Sequence, residues 1–149
     1  MKKVVSVSLG SSRQDFEFKT RFLGQNFSVH RLGADQDTGK AWDLMRRQQA
    51  TADAIGLGEI SDHYHVGPDT LINKETRRLT NVVTRVPVTT GATLRRLLQV
   101  RAVRYVQKEL GRYFNNNLVL FMSGMRNYNM AVALSDYTRN LSFADALFQ

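Results

Sequence analysis

Asp53-Ala54-Ile55-Gly56-Leu57-Gly58 is the stretch on which the fold turns. It is apolar, has the length of a strand and is bounded by glycine. A short run with no polar alternation suits a strand buried on both faces, the position of a central strand in a parallel sheet. Leu118-Val119-Leu120-Phe121-Met122 reads the same way and is the most hydrophobic strand of the chain. Residues 3–8, with Val4, Val5 and Val7, read as a half- or fully buried strand, closed by Leu9-Gly10-Ser11-Ser12.

Outward from these runs the pattern alternates. Phe16, Phe18, Thr20 and Phe22 interleave with Glu17, Lys19 and Arg21, the period of a strand with one wet face. Residues 27–32 return after the turn Gly24-Gln25-Asn26 as its hairpin partner. Asp37 or Thr38 can cap a helix running to Thr51, with Trp42, Met45 and Gln49 on one side. Gly67-Pro68-Asp69 is a strong turn signal between residues 63–66 and 70–72, which predicts a second small hairpin. A helix over 74–83, a strand over 86–90, a long helix over 93–114 and another over 127–137 complete the series. One further element starts at Leu141. The expected fold is α/β, a Rossmann-like layered and mostly parallel sheet with an antiparallel hairpin flank, built as a single domain over residues 1–149.

Composition narrows the chemistry. The chain has 149 residues, 42% of them hydrophobic, enough for one ordinary core. It has no cysteine, which removes disulfides, thiolate nucleophiles and Cys-ligated metals together. No run approaches the length of a membrane span, and the basic start is too short for a signal peptide, so a cytoplasmic protein with no membrane role is expected. The net charge of +8 lies wholly in residues 71–112, where ten Lys/Arg face two Asp/Glu. Arg101, Arg104, Lys108 and Arg112 fall on one helical stripe, with Leu98, Ala102, Tyr105, Val106 and Leu110 available for a core-facing side. Such a stripe suits a nucleic acid or an acidic partner, and equally a solvated helix, and no nucleic-acid motif accompanies it.

Open α/β sheets bind ligands beyond the carboxyl ends of their strands. Four loops there are small or polar: Gly10, Ser11 and Ser12; Gly56, Gly58 and Glu59; Thr90 and Gly91; and Ser123, Gly124, Arg126 and Asn127. Glycine allows close approach of a ligand, while hydroxyls and free helix N–H groups hold an anion. Together they predict a pocket for an anionic small molecule or nucleotide, with Arg126 as its strongest donor. No loop matches a strict fingerprint: Gly56-Leu57-Gly58 lacks the third glycine of the dinucleotide pattern, and no P-loop or nucleophile elbow is present. His63 and His65 would share a strand face near Glu59 and Asp62, but no third ligand is fixed by spacing, so no metal is assigned.

The segments 4–12 and 53–58, with Leu118 to Leu134 and Phe143-Ala144-Asp145-Ala146-Leu147, resemble the N-terminal part of a poorly characterised bacterial family often labelled quinate/shikimate-type dehydrogenase. The resemblance implies a Rossmann-like fold and makes NAD(P) a cofactor to test, while bringing no catalytic residues with it. Leu141, Phe143, Leu147 and Phe148 make an apolar last segment, for which further C-terminal chain or a homo-oligomer is the expected cover. The functional expectation is therefore an anion- or nucleotide-binding domain, part of a dehydrogenase. The alternatives are a non-enzymatic ligand- or partner-binding module, or a nucleic-acid binder using residues 95–112.

Overall fold

The structure, a computed structural model, describes residues 1–60 and 63–145. Its elements run β1 (Lys2–Ser8), a 3-10 turn (Ser12–Gln14), β2 (Phe16–Phe22), β3 (Gln25–Gly33), α1 (Thr38–Gln48), β4 (Ala54–Gly58), β5 (His63–Val66), β6 (Asp69–Ile72), α2 (Lys74–Asn81), β7 (Val88–Thr89), α3 (Ala92–Glu109), β8 (Val119–Phe121), α4 (Gly124–Leu134) and β9 (Leu141–Phe143). The chain, read above as one domain, divides into two compact units: Met1–His63 with Ile72–Gly91, and Tyr64–Leu71 with Ala92–Gln149.

The first unit holds a five-stranded sheet in the order β2-β3-β1-β4-β7. β1 lies between β3 and β4 and is parallel to both, β7 is parallel to β4, and only β2 runs antiparallel. This is the mostly parallel α/β sheet with a hairpin flank that the alternation predicts. In register, Val5 faces Ile55 and Val7 faces Leu57, so these four share a face. All are at most 2% exposed and pack with Ala41 and Met45 of α1 and Leu79 of α2. The opposite face carries the small set Ser6, Ser8, Gly56 and Gly58. Asp37 accepts from the Lys40 N–H at 2.9 Å and caps α1.

Between β1 and β3 there is no crossover helix. The chain passes from β1 through the three-residue turn to the outer edge, runs down β2 and returns through the two-residue turn Leu23-Gly24 into β3. Leu23 and Gly24 both have positive φ, 48° and 78°, the geometry of a tight primed hairpin turn.

The second unit pairs β8 with β9, parallel, in a sheet of two strands. The expectation that residues 118–122 form a central strand of the main sheet is corrected. Only Phe121 is buried and Val119 half-buried, while Leu118, Leu120 and Met122 are 59–79% exposed. An unbroken apolar run signals burial on two faces only when both faces have cover, and this strand uses one. Its core is Val103, Phe121, Ala131, Ala133 and Leu134, with Val100 and Leu141 against it. The stripe read for α3 is also corrected: Leu98, Tyr105 and Leu110 are more than half exposed, and Val103 with Val100 faces the core instead. No helix among the described residues is long and apolar enough to cross a membrane.

Candidate functional site

The sheet of the first unit reverses its winding beside β1: β3 lies on one side and β4 on the other. The carboxyl ends of β1 and β4 therefore frame the place where such sheets take ligands. Three of the four predicted loops meet at this edge, those of Gly10, Ser11 and Ser12, of Gly58 and Glu59, and of Thr90 and Gly91. Gly56 sits one step further in, on the same face as Gly58.

Arg31 organises this edge. It projects from β3 with a side chain only 10% exposed. One terminal nitrogen donates to the Ser11 carbonyl at 2.9 Å and to Asp15 at 3.3 Å. The other donates to Ser8 Oγ at 3.0 Å and to Glu59 Oε1 at 2.7 Å. The Arg31 guanidinium, and secondarily the Ser8 hydroxyl, hold the Glu59 carboxyl below its ordinary range, so it stays ionised.

That carboxylate lies directly over Gly10, where a Cβ would come within 2.4 Å of its oxygens. The neighbouring N–H groups are already satisfied: Gly10 donates to Ser8 Oγ, Ser12 to Asp35, Gly33 to Asp15, and Gly91 to Thr89 Oγ1. Asp35, Gln36 and Glu59 adopt left-handed backbone at φ of 51–65°, and the Asp35 and Gln36 N–H groups bond back to Gly10 and Leu9. The edge satisfies its own donors and carries the carboxylates of Asp15, Asp35 and Glu59. The 3-10 turn after β1 supplies no helix N-terminus, so the anion seat expected at Gly10, Ser11 and Ser12 is filled by the chain's own carboxylates and hydroxyls.

The fourth loop belongs to the second unit. Ser123 caps α4, accepting from the Arg126 N–H at 3.4 Å. Asn127, inside the helix, has φ −108° and ψ 15° and donates its Nδ2 to the Ser123 carbonyl, which kinks the first turn. The helix therefore starts three residues before the expected 127. Gly124 donates its N–H to both carboxylate oxygens of Asp145, at 2.8 and 2.9 Å. Asp145 follows β9 and was not picked out by sequence as a site residue. Arg126 is exposed at the same turn, its carbonyl held by Gln99.

Beyond the carboxyl ends of β8 and β9 opens a cavity of about 460 Å³, lined by Val66, Gly124, Met125, Tyr128, Ala131, Val132, Ser135, Leu141, Phe143 and Asp145. The volume suits a small molecule. Its wall is mostly apolar, and Phe143 stacks on Phe121 with ring centroids 5.4 Å apart. A Cβ on Gly124 would meet Asp145 Oδ2 at 2.7 Å and the Phe143 ring at 2.8 Å, so a larger residue here would have to push those two side chains aside. Sequence reasoning found the loop but not the cavity, because Val66 of β5 and Phe143 of β9 reach it from two other elements and Val132 from further along α4. The side chains of His63 and His65 lie outside the described residues, as do residues 146–149 of the apolar last segment.

Residues 3–90, more than half of the chain, match the family model described as Domain of unknown function (DUF8753). The chain belongs to this family. Residues 93–149 match a second model, Domain of unknown function (DUF8754), and the seam between the two falls beside Gly91, where φ is 75°. No curated protein matches. Among solved structures, the catalytic subunit of M. jannaschii aspartate transcarbamoylase is similar at a TM-score of 0.46 and 15% identity, over 95% of this chain and 46% of that one. This chain thus spans less than half the length of that protein.

Proposed function

We propose that this member of the DUF8753 family is a small-molecule-binding α/β module whose ligand is a carboxylic acid with an apolar body. The observation that carries the reading is Asp145, an exposed carboxylate seated on the Gly124 N–H at the start of α4, where it lines an open, mostly apolar cavity. A chain carboxylate in that position marks what the seat accepts, because the helix start favours negative charge and its N–H groups need acceptors. The ligand takes Asp145's place, its apolar part lies against Met125, Val132 and Phe143, and exposed Arg126 adds a charged donor.

This keeps the anionic small molecule expected from the sequence and moves it from the main sheet to the second unit. NAD(P) and a dehydrogenase role have less support, since β1 leads into a three-residue turn and a carboxylate covers Gly10.

The test is calorimetric titration with benzoate, phenylacetate and octanoate, beside NADH and shikimate. Asp145→Ala vacates the seat and is expected to tighten the best acid at least about tenfold, the scale of one charged hydrogen bond. Arg126→Ala is expected to weaken it by a similar factor. Binding of NADH with none of the acids, or an Asp145→Ala variant no tighter than the parent, would overturn the reading.

A second reading rests on α3. Among the described residues, Arg101, Arg104 and Lys108 of this helix have no ion-pair partner, which suits an anionic polymer, while Arg112, at φ 59°, lies beyond the helix end and off the expected stripe. A steep fall in RNA or DNA affinity with salt is its signature.

A further inference from the structure

β2 forms one edge of the five-stranded sheet, and all seven of its residues are exposed. Native edges are normally short, bulged, interrupted by proline or charged, and the charges of this one, Glu17, Lys19 and Arg21, are of mixed sign. This one pairs with β3 without a bulge from Phe16↔Arg31 to Phe22↔Gln25 and contains no proline. At the other edge, β7 has two residues.

The tight turn makes Phe22 and Gln25 the closing hydrogen-bonded pair of the hairpin, and such pairs alternate along an antiparallel ladder. The N–H and C=O groups of Glu17, Lys19 and Arg21 consequently point away from β3. Phe16, Phe18 and Phe22 share the other face of the strand and are 49%, 47% and 64% exposed. An exposed aromatic row beside unpaired backbone groups is a surface built for association.

The sequence of β2 is self-complementary in charge, and that selects the occupant. We propose that β2 pairs antiparallel with β2 of a second copy, about a two-fold axis at Phe18, to give one continuous ten-stranded sheet. In this register Glu17 of each chain stands opposite Lys19 of the other, twice by symmetry. Phe18 meets Phe18 in the closely spaced non-hydrogen-bonded position, and Phe16 meets Thr20. Shifting the axis to Lys19 would pair Glu17 with Arg21 but set Lys19 against Lys19 in the directly opposed central position, which like-charge repulsion disfavours. Glu17 reaches His30 of its own chain at 3.4 Å through Oε1, which leaves Oε2 for the partner's Lys19.

The test is light scattering after gel filtration of the full chain, across a concentration series, with amide hydrogen exchange on the same samples. A dimer is expected, with the amides of Glu17, Lys19 and Arg21 gaining protection as concentration rises. Glu17→Lys replaces both attractive pairs by repulsive ones and is expected to weaken the dimer at least about tenfold. Glu17→Lys combined with Lys19→Glu reverses every pair and is expected to restore it. These side chains are on the surface, and circular dichroism checks that each variant folds. A parent protein monomeric throughout the series, or a dimer that Glu17→Lys leaves unchanged, overturns the proposal, and so does a double variant that stays as weak as the single one.

Discussion

Arg31 shows how far one residue's setting departs from its sequence context. In the chain it is a lone arginine in the returning strand of a hairpin, yet it is nearly buried and bonded to Ser8, Ser11, Asp15 and Glu59. Arg31→Ala is expected to cost about 2 kcal/mol in urea unfolding at pH 7, since it strips charged hydrogen bonds and leaves the Asp15 and Glu59 carboxylates without their shared cation. The same cluster sets an acid limit. Glu59 is held down by Arg31 and then by Ser8, and Asp35 by Lys40 and then by the Ser12 N–H. A depressed carboxyl adds stability that is complete above its unfolded value and lost as pH falls through its folded one. Stability should thus decline below about pH 4.5, the ordinary glutamate range. Glu59→Gln should lower stability at pH 7 and flatten that decline. An unchanged slope between pH 5 and pH 3 would show that the Arg31–Glu59 contact contributes nothing to it.

At the scale of elements, local signals did well wherever the deciding interaction lies within a few residues. Asp37 caps α1 because its side chain reaches the N–H three positions on, and Asp37→Ala should cost about 1 kcal/mol in thermal or urea unfolding. The β2–β3 hairpin was legible from alternation and a turn. The start of α4 was not, because both Ser123 and Asn127 can cap and only the Arg126 N–H bonded to Ser123 Oγ shows that Ser123 does so. The faces of α3 were misassigned for a related reason. Its leucines, valines and tyrosine spread around the helix, and only the packing of Val103 and Val100 shows which stripe is inside.

The whole molecule is two cores rather than one. Met45 is fully buried under the main sheet, and Leu134 is 2% exposed in the core of the second unit. Met45→Ala should cost about 2–5 kcal/mol and speed amide exchange first in β1 and β4, and Leu134→Ala should do so first in β8 and α4. Uniform acceleration across both units from either variant would mean that they open only together. By itself the sequence determined the α/β class, the hairpin flank, the central place of β4, and the loops that follow β1, β4, β7 and β8. Those follow from periodicity, glycine and capping, which act over a few residues. Tertiary structure alone decided that β8 pairs with β9 instead of joining the main sheet, that Arg31 and Glu59 close the edge where an anion was expected, and that Asp145 sits on Gly124. Each of these joins residues 21 to 28 positions apart. Contacts at such separations depend on which faces find cover, and a short apolar run or a lone charge carries no record of that.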